Sequence, residues 1–320
     1  MELLKNGIGL SAVVFFPLIS AFVITLIPKA QEQLIKRFAL ASSLITFVLS
    51  AILLFQFDFS SAEKLQLGNK ISWIKSINAN YEIGIDGISL PLLVLSTFIT
   101  VLAIIYSIEH LPEPKSPKGF LALILVLETG MNGTFVALDL ILFFVFFEIV
   151  LLPMYFMIGI WGDKTVRTVS GFKNQIETRL YASIKFFVFT LFGSAFMLLG
   201  FLGLYYRGNK TFSIPELIEL GTSGAFTGTF ATLVFAVLFL GFAVKVPMWP
   251  LHTWLPDAHT AAPTVGSVLL AAILLKLGSY GFVRIAIPIL PEQAKAWAPA
   301  IAILSAIGII YGSLACLAQT

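Results

Sequence analysis

Four ionisable residues lie inside long apolar runs of the sequence: Glu148, Lys185, Lys245 and Lys276. A charge at the centre of a bilayer costs about 2.5 to 3.5 kcal/mol even on the most permissive insertion scale, so each one needs a compensating reason. Residues of this kind most often serve ion or proton pathways. We expect Glu148 and Lys276 near mid-membrane, whereas Lys185, about a turn and a half inside its helix, could partly reach the surface.

The stretch Gly241–Pro263, GFAVKVPMWPLHTWLPDAHTAAP, places a lysine beside a cluster of prolines. Pro247 has no amide proton and its ring clashes with the carbonyl four residues earlier, so the helix is predicted to end just after Lys245. Pro250 and Pro256 are predicted to delay the next helix. Broken backbone at membrane depth is tolerated only where protein or water satisfies it, and transporters build ion sites beside such breaks. The sequence therefore predicts a hydrated break next to Lys245.

Membrane-spanning helices are predicted to position these residues. The sequence is 58% hydrophobic and 12% charged, and its apolar runs are near or above the roughly 20 residues that cross a bilayer. The longest run is long enough for two helices, with a turn near Asp139, which is expected to cap the second. Because backbone amides in lipid must bond within helices, we predict an all-α polytopic fold with nine spans. The runs are Leu10–Pro28, Phe38–Phe57, Ile88–Ile108, Phe120–Ile160, Phe186–Tyr206, Leu220–Val244, Ala261–Arg284 and Ala296–Ala318.

Several other classes of protein and site are disfavoured. The net charge of +3 is small and scattered, which argues against nucleic acid as a partner. Cys316 is the only cysteine, so it can form no internal disulfide. His252, Asp257 and His259 could begin a metal site, but no further ligand lies nearby in sequence to complete the usual shell. No metal site is therefore predicted.

A structural interpretation of the buried charges stays open. Glu148 and Lys245 could form an ion pair that only fixes helix register, and His252 and His259 could be ordinary residues at the membrane boundary. Glu128 is not far in sequence from the turn expected near Asp139, and we interpret it as structural.

Basic residues are divided unevenly between the two sides. The loops after spans 1, 3 and 5 hold nine, and the short segments opposite hold five. Because basic loops tend to stay in the cytoplasm, the N-terminus is predicted to lie outside. The nine are Lys29, Lys36, Arg37, Lys115, Lys118, Lys164, Arg167, Lys173 and Arg179, and the five are Lys5, Arg207, Lys210, Arg284 and Lys295.

Four stretches resemble the antiporter-like membrane subunits of respiratory complex I, specifically the family called subunit M in bacteria and subunit 4 in mitochondria and cyanobacteria. The most specific are AVKVPMWPLHTWLPDAHTAAPTVGSVLLAAILLKLGSYGFVR (243–284) and ALDLILFFVFFEIVLLPMYFMIGIWG (137–162). KFFVFTLFGSAFMLLG (185–200) is similar to the same subunit, and YEIGIDGISLPLLVLSTFIT (81–100) fits its third span.

The resemblance implies a proton-translocating module without redox groups of its own. Glu148 and Lys245 match the family's buried pair, Lys276 its hydrated central axis, and Lys185 a further lysine that faces the pair. His252 and His259 match histidines of the broken-helix motif and are expected beside the proton path. Burial disfavours a charged lysine and a nearby carboxylate favours it, so movement of the carboxylate would switch the lysine between holding and releasing a proton.

The resemblance also implies what other subunits supply. No cofactor is expected in this chain, while NADH, FMN, iron–sulfur clusters and quinone are expected elsewhere in an NADH (or ferredoxin):quinone oxidoreductase. The expected partners are neighbouring antiporter-like membrane subunits and the lipid bilayer. The expected location is the inner (plasma) membrane of a bacterium, or a thylakoid or other energy-coupling membrane.

Family members contain two inverted repeats and more spans than this chain. We expect residues 1–118 to form helices 1–3, residues 119–285 the first repeat with helices 4–8, and residues 286–320 the start of the second repeat. The sequence stops near the end of the ninth predicted span without a polar tail, so a fragment of a longer protein is expected.

Two other functions remain open. A subunit of a multi-subunit Na⁺/H⁺ antiporter or of a membrane-bound hydrogenase would share the broken-helix motif. A structural membrane subunit without transport would suit a chain that holds only one repeat.

Overall fold

Nine membrane-spanning helices form most of the described part of the chain. The computed structural model describes residues 7–167 and 175–319, and within these ranges nine helical segments are long and apolar enough to cross a membrane. The predicted fold class and number of spans are confirmed. The helices are α1 (Ile8–Leu26), α2 (Glu32–Gln56), α3 (Ser89–Glu109), α4 (Pro117–Val136), α5 (Leu140–Ile149), α6 (Leu151–Trp161), α7 (Thr178–Arg207), α8 (Ile214–Thr222), α9 (Gly228–Lys245), α10 (Trp254–Ala261), α11 (Thr264–Leu269), α12 (Leu275–Gly281), α13 (Ile287–Ile289) and α14 (Pro291–Leu317).

Two spans are composite. The fifth consists of α5 and α6, and the eighth runs from Thr264 to Ile289 through α11, α12 and α13. Two π-helical segments, Leu270–Leu274 and Phe282–Ala286, separate those three helices. α8 and α10 are short helices outside the spans.

A β-hairpin occupies the long loop between α2 and α3. Strand β1 (Gln66–Ile74) pairs antiparallel with β2 (Ala79–Ile85), and a shorter pair, β3 (Val166–Arg167) and β4 (Ile176–Glu177), lies between α6 and α7. The turn between β1 and β2 holds Asn78 at φ 52°, a left-handed conformation that asparagine tolerates better than most residues. The sequence analysis did not foresee the hairpin, but it lies outside the spans and leaves the all-α membrane class intact.

The hairpin fixes the turn between α4 and α5. The Leu138 amide donates to the Glu82 carbonyl at 2.8 Å, and the Asn80 amide donates to the Asp139 carboxylate at 2.8 Å. The buried Asp139 side chain therefore bonds to the hairpin as well as to α5. This arrangement sets the start of the helix that carries Glu148.

α4 is the most enclosed of the spans. It packs against α1, α2, α3, α5 and α6. Glycines allow the close approach to α5, because a Cβ atom at Gly130 would lie 2.6 Å from Val150 and one at Gly133 would lie 2.3 Å from the Phe146 ring. The face of α4 that carries Gly130 and Gly133 is thus in contact with α5.

Candidate functional site

Glu148 lies in α5, whose first turn is capped as the sequence predicts. The Asp139 carboxylate accepts from the amides of Ile141 and Leu142 at 2.9 and 3.2 Å. Glu148 follows eight residues after the start of the helix, about 12 Å along the axis. The expected turn and the depth of Glu148 agree with this structure.

A one-residue break at Val150 follows Glu148 within the fifth span, and Val150 itself keeps helical backbone angles (φ −68°, ψ −20°). α5 ends at Ile149 and α6 begins at Leu151. Pro153 explains the break, since it lacks the amide that would bond to the Ile149 carbonyl and its ring crowds that carbonyl. The sequence analysis missed this feature, although Pro153 is the signal for it.

Lys245 is the last residue of α9, so the predicted helix break after it is confirmed. The next helix, α10, begins only at Trp254. The Trp254 indole donates to the freed carbonyl of Val244 at 3.0 Å, which satisfies one acceptor at the break. The delay assigned to Pro256 is wrong, because Pro256 lies in the first turn of α10, where a helix needs no amide donor.

Glu148 and Lys245 interact without a contact ion pair. Lys245 is only 2% exposed, and its ammonium has no hydrogen-bond partner among the described residues. The Glu148 Oε1 atom is also buried and without a partner in that part of the chain. The two groups nevertheless attract each other electrostatically, and the Phe147 ring centroid lies 4.9 Å from the Lys245 Nζ atom. The pair is therefore coupled but not locked together.

Lys276 lies in α12, on the side that faces away from Lys245. A Cβ atom at Gly278 would lie 3.0 Å from the Lys245 Cβ, so Gly278 faces α9. Residues two apart on a helix do not share a face, and Lys276 is exposed on this chain, with its ammonium donating to the Ala271 carbonyl. The π-helical segment Leu270–Leu274 precedes it directly, and such segments often occur at functional sites.

Lys185 pairs with Asp257 rather than with Glu148. Its ammonium lies 2.8 Å from one Asp257 oxygen, and the Arg167 guanidinium lies 2.8 Å from the other. Burial raises the pKa of Asp257, but the hydrogen bonds from Lys185 and Arg167 outweigh it and hold the pKa below its usual value. Sequence reasoning treated Asp257 only as a metal ligand and missed this cluster, because Arg167 and Asp257 are far apart in sequence.

The two histidines of the broken-helix motif have different surroundings. The His252 Nδ1 atom is buried without a partner among the described residues, and its ring packs edge-on to Tyr311 at 5.2 Å. His259 lies in α10, where burial lowers its pKa and favours the neutral ring. No group of three or more histidine, cysteine or acidic residues suited to a metal ion occurs in residues 7–167 and 175–319.

Glu128, which the sequence analysis interpreted as structural, lies deeper in its helix than its closeness in sequence to the turn suggested. It lies eight residues before the end of α4 and is 0% exposed. Neither carboxyl oxygen has a hydrogen-bond partner within the described ranges. The signal was present in the sequence, since Glu128 interrupts an apolar run just as Glu148 does.

The arrangement suits proton transfer better than ligand binding. A buried amine and a buried carboxylate that attract each other without contact titrate as a unit. The two breaks, after Glu148 and after Lys245, remove helical partners from nearby carbonyls, and such carbonyls can order water. Proton movement between these groups needs only small changes in their separation.

Two family models match the chain. The model described as "NADH:quinone oxidoreductase/Mrp antiporter, TM" matches residues 137–320. The model described as "NADH-ubiquinone oxidoreductase chain 4, amino terminus" matches residues 13–134. The matches together take in both helix breaks and the candidate residues around them.

Individual relatives agree with the family models. The NADH-quinone oxidoreductase subunit M of Rickettsia bellii is 40% identical over 319 residues, which cover 97% of this chain and 60% of the relative. A chain of respiratory complex I from Thermus thermophilus with bound NADH superposes with a TM-score of 0.80 at 26% identity, over 97% of this chain and 59% of that chain. This chain therefore spans about three fifths of the length of these relatives.

A more distant structure shares the fold alone. A chain of the membrane-bound sulfane sulfur reductase, an archaeal respiratory membrane complex, has a TM-score of 0.67 at 22% identity, over 86% of this chain and 40% of that chain.

Proposed function

Since this chain belongs to the family of NADH:quinone oxidoreductase and Mrp antiporter membrane subunits, we propose that it transfers protons in the membrane domain of a respiratory NADH (or ferredoxin):quinone oxidoreductase. The observation that carries the proposal is the buried, non-contacting pair of Glu148 and Lys245 between two helix breaks. Electron transfer to quinone takes place in other subunits, which hold NADH, FMN and iron–sulfur clusters. This chain contributes the proton path and no redox centre.

The pair works as a switch. When the Glu148 carboxylate is close, it stabilises the Lys245 ammonium, and when it moves away the desolvated amine releases its proton. Phe147 contacts the ammonium and limits direct access of solvent. Lys276, which is exposed and turned away from α9, continues the path beyond the pair, as the family resemblance implies.

The Asp257 cluster, which consists of Asp257, Lys185 and Arg167, lies at the proposed proton entrance. Lys185 and Arg167 are held at 2.8 Å from Asp257 at the end of the bundle that carries the α6–α7 loop. Release of Lys185 from Asp257 would turn its charge towards the interior pair, as the family resemblance implies. His252 and His259 flank this entrance on the segment between α9 and α11.

The division of the chain follows from the same family. Helices α1–α3 form an N-terminal unit within residues 1–118, residues 119–285 form the first antiporter-like repeat, and residues 286–320 begin the second. The neighbouring antiporter-like subunits and lipid are its partners.

The protein spans the inner (plasma) membrane, or an equivalent energy-coupling membrane, with its N-terminus outside. Hydrogen bonds at the helix ends support a common side for these basic residues. Lys118, near the start of α4, donates to the Ile27 carbonyl after α1 at 2.7 Å, and Lys36, near the start of α2, donates to the Ile108 carbonyl near the end of α3 at 3.0 Å. Lys5 and Lys173, which entered the charge count, lie outside the described residues.

A second candidate is a subunit of a multi-subunit Na⁺/H⁺ antiporter. The same family model includes Mrp antiporters, and the buried lysine beside a broken helix would serve cation–proton exchange equally well. The third alternative, a structural membrane subunit without transport, would leave the buried unpaired charges without a purpose.

Proton uptake by inside-out membrane vesicles tests the proposal. Vesicles carry the complex with its full-length chain, and either NADH or reduced ferredoxin is supplied with quinone. Lys245→Ala should abolish donor-driven acidification while quinone reduction persists, and Lys29→Ala, in an exposed loop, is the matched control. Acidification changes driven by sodium without an electron donor would instead favour the antiporter. Unchanged pumping by Lys245→Ala would refute a transport role for the pair.

A further inference from the structure

A second buried carboxyl group lies apart from the Glu148–Lys245 pair. Glu128 in α4 is fully buried, and neither of its oxygens has a hydrogen-bond partner among the described residues. It lies eleven residues from the start of α4 and eight from the end, about 16 and 12 Å along the axis. A carboxylate at this depth without partners is strongly disfavoured, and even a neutral polar group is costly. Such a residue is retained for function more often than for stability.

Glu128 points away from the Glu148–Lys245 pair. Gly130 and Gly133 face α5, as their close contacts with Val150 and Phe146 show. At 100° per residue, Glu128 lies about 140° to 160° around α4 from those two glycines. α4 therefore separates Glu128 from the helix that carries Glu148.

The face of α4 that carries Glu128 is turned towards α1 and α3. Asn132, one turn further along the same face, accepts from the Ser96 hydroxyl at 2.8 Å and donates to the Val13 carbonyl at 3.3 Å. Because α3 and α4 are consecutive spans and run in opposite directions, one turn beyond the Ser96–Asn132 contact brings Thr100 level with Glu128.

α2 adds hydroxyl groups at the same level. The Ser50 and Thr97 hydroxyls lie 2.7 Å apart, which fixes the antiparallel register of α2 and α3. One turn from this contact, towards the start of α2 and the end of α3, Thr46 comes level with the residue after Thr100. Ser42 lies one turn beyond Thr46, and its buried hydroxyl has no partner within the described ranges. We call the five residues Ser42, Thr46, Ser96, Thr100 and Asn132 the polar layer, and all of them are buried.

Two threonine hydroxyls of the polar layer are free to change partner. Thr100 donates to the Ser96 carbonyl at 2.9 Å, and Thr46 donates to the Ser42 carbonyl at 3.0 Å. Each of those carbonyls lies four residues earlier and also accepts a backbone amide of its own helix. Rotation of the threonine hydroxyl therefore breaks no backbone hydrogen bond of the helix. A rotated hydroxyl can donate to one neighbour and accept from another.

We propose that Glu128 is a second proton-binding site of the membrane domain, outside the Glu148–Lys245–Lys276 path, and that it exchanges its proton through the polar layer. Each transfer breaks one O–H bond and forms another. When a side-chain movement brings a hydroxyl of the polar layer within hydrogen-bond distance of Glu128, the carboxyl proton passes to the hydroxyl oxygen as that hydroxyl releases its own proton to the next acceptor, so no oxidant or reductant is needed. The site holds its proton whether or not electrons flow elsewhere in the complex.

Infrared spectroscopy of the purified complex with its full-length chain tests the binding site. A protonated carboxyl group gives a carbonyl-stretch band, which shifts when the proton is exchanged for deuterium. At neutral pH, the wild type should show such a band, Glu128→Gln should lose it, and Glu148→Gln, the matched control, should retain it. Identical bands in the wild type and Glu128→Gln would overturn the proposal. Replacement of Glu128 by glutamine removes no hydrogen bond among the described residues. Glu128→Leu provides a second variant if the glutamine variant folds poorly.

The rate of exchange tests the polar layer. After transfer to heavy water, the band should shift at least about tenfold more slowly in the double variant Thr46→Val and Thr100→Val, because valine keeps the shape and removes the hydroxyl. An unchanged rate would refute the route through the polar layer. Pumping by Glu148→Gln in inside-out vesicles separates the two proposals. Normal pumping would defeat the proposed function, while only the Glu128-dependent band bears on this site.

Discussion

Several partly or fully buried charges near the two ends of the helical bundle form ion pairs, whereas the buried charges at its centre form none among the described residues. At the end that carries the α6–α7 loop, Asp257 contacts both Lys185 and Arg167 at 2.8 Å. At the opposite end, Arg284 contacts Asp86 at 2.6 Å. Each of these pairs joins elements that are distant in sequence, so the pairs fix how the helices are arranged.

At the centre, Glu148, Lys245 and Glu128 each have a buried polar atom without a hydrogen-bond partner among the described residues. Arg167 and Arg284 at the ends also have one such atom each, but both guanidinium groups lie in an ion pair. Leaving such groups unpaired costs more than pairing them, and the same chain pairs its charges elsewhere. We infer that the end charges help to hold the structure, the Asp257 cluster in addition to its proposed place at the proton entrance, and that the central charges are available to gain and lose protons. The comparison also predicts different consequences for mutations in the two regions.

The largest expected effect is that of Glu148→Gln on proton pumping. Glutamine keeps the shape but cannot carry the charge that stabilises the Lys245 ammonium, and a positioned proton-transfer group contributes about 10²- to 10⁴-fold to a rate. Donor-driven acidification by inside-out vesicles should fall close to background while the complex still assembles. Normal pumping by the assembled variant would place Glu148 with the structural charges instead.

A second test compares two lysines at different depths. Lys276→Met should impair pumping more than Lys185→Met, because Lys276 lies within a span beside a π-helical segment, whereas Lys185 is near the end of its span and already paired with Asp257. Water can replace the shallower lysine in proton transfer. Pumping per electron should be measured at matched levels of complex. Equal defects would show that depth does not separate the two regions.

The helix break after Lys245 gives a smaller, graded effect. Pro247→Ala should let α9 continue, and removal of a proline from a helix interior can stabilise by up to about 3 kcal/mol. We expect assembly to be retained or improved and proton transfer to be partly reduced, since the carbonyls beside Lys245 would bond within the helix. Combination with Pro250→Ala should enlarge the defect.

Lys245→Ala is the control for the proline variants, because it should stop transfer without mending the helix. Pumping per electron and thermal stability of the complex are measured for all three variants. A normal pumping ratio in the double proline variant would mean that the break is only a packing feature.

Much of this organisation could be predicted from local sequence. Eight apolar runs, one of them long enough for two helices, predicted the nine spans. Asp139 predicted the cap of α5 and Pro247 the end of α9, because each feature depends on residues within a few positions of one another. The break beside Glu148 was equally readable from Pro153. The family resemblance singled out the Glu148–Lys245 pair, and the family models confirm the membership on which that reasoning rested.

The rest depends on contacts between distant segments. The partner of Lys185 could not be predicted, because Asp257 is 72 positions away in the chain. The complete burial of Glu128 could not be predicted, since it depends on how several helices enclose α4 and not on distance from a turn. The π-helical segment before Lys276 contains neither glycine nor proline, so no local feature of the sequence predicts it.

The smallest expected effect is on stability at the paired end, and it depends on pH. The pKa of Asp257 is lowered in the folded protein, so the carboxylate stabilises the fold fully above its unfolded pKa and loses that contribution as the pH falls through the folded pKa. Asp257→Asn should therefore lower the stability of the complex by about 1 to 2 kcal/mol at neutral pH, since the ion pairs are partly exposed and screened. The difference in stability between the wild type and Asp257→Asn should shrink below about pH 4. Lys185→Gln removes one of the two cations that pair with Asp257. The stabilisation by the Asp257 carboxylate should then be lost at a higher pH than in the wild type. Thermal unfolding across the pH range measures both shifts, and a gap that widened on acidification would contradict the assignment of Asp257 to the structural charges.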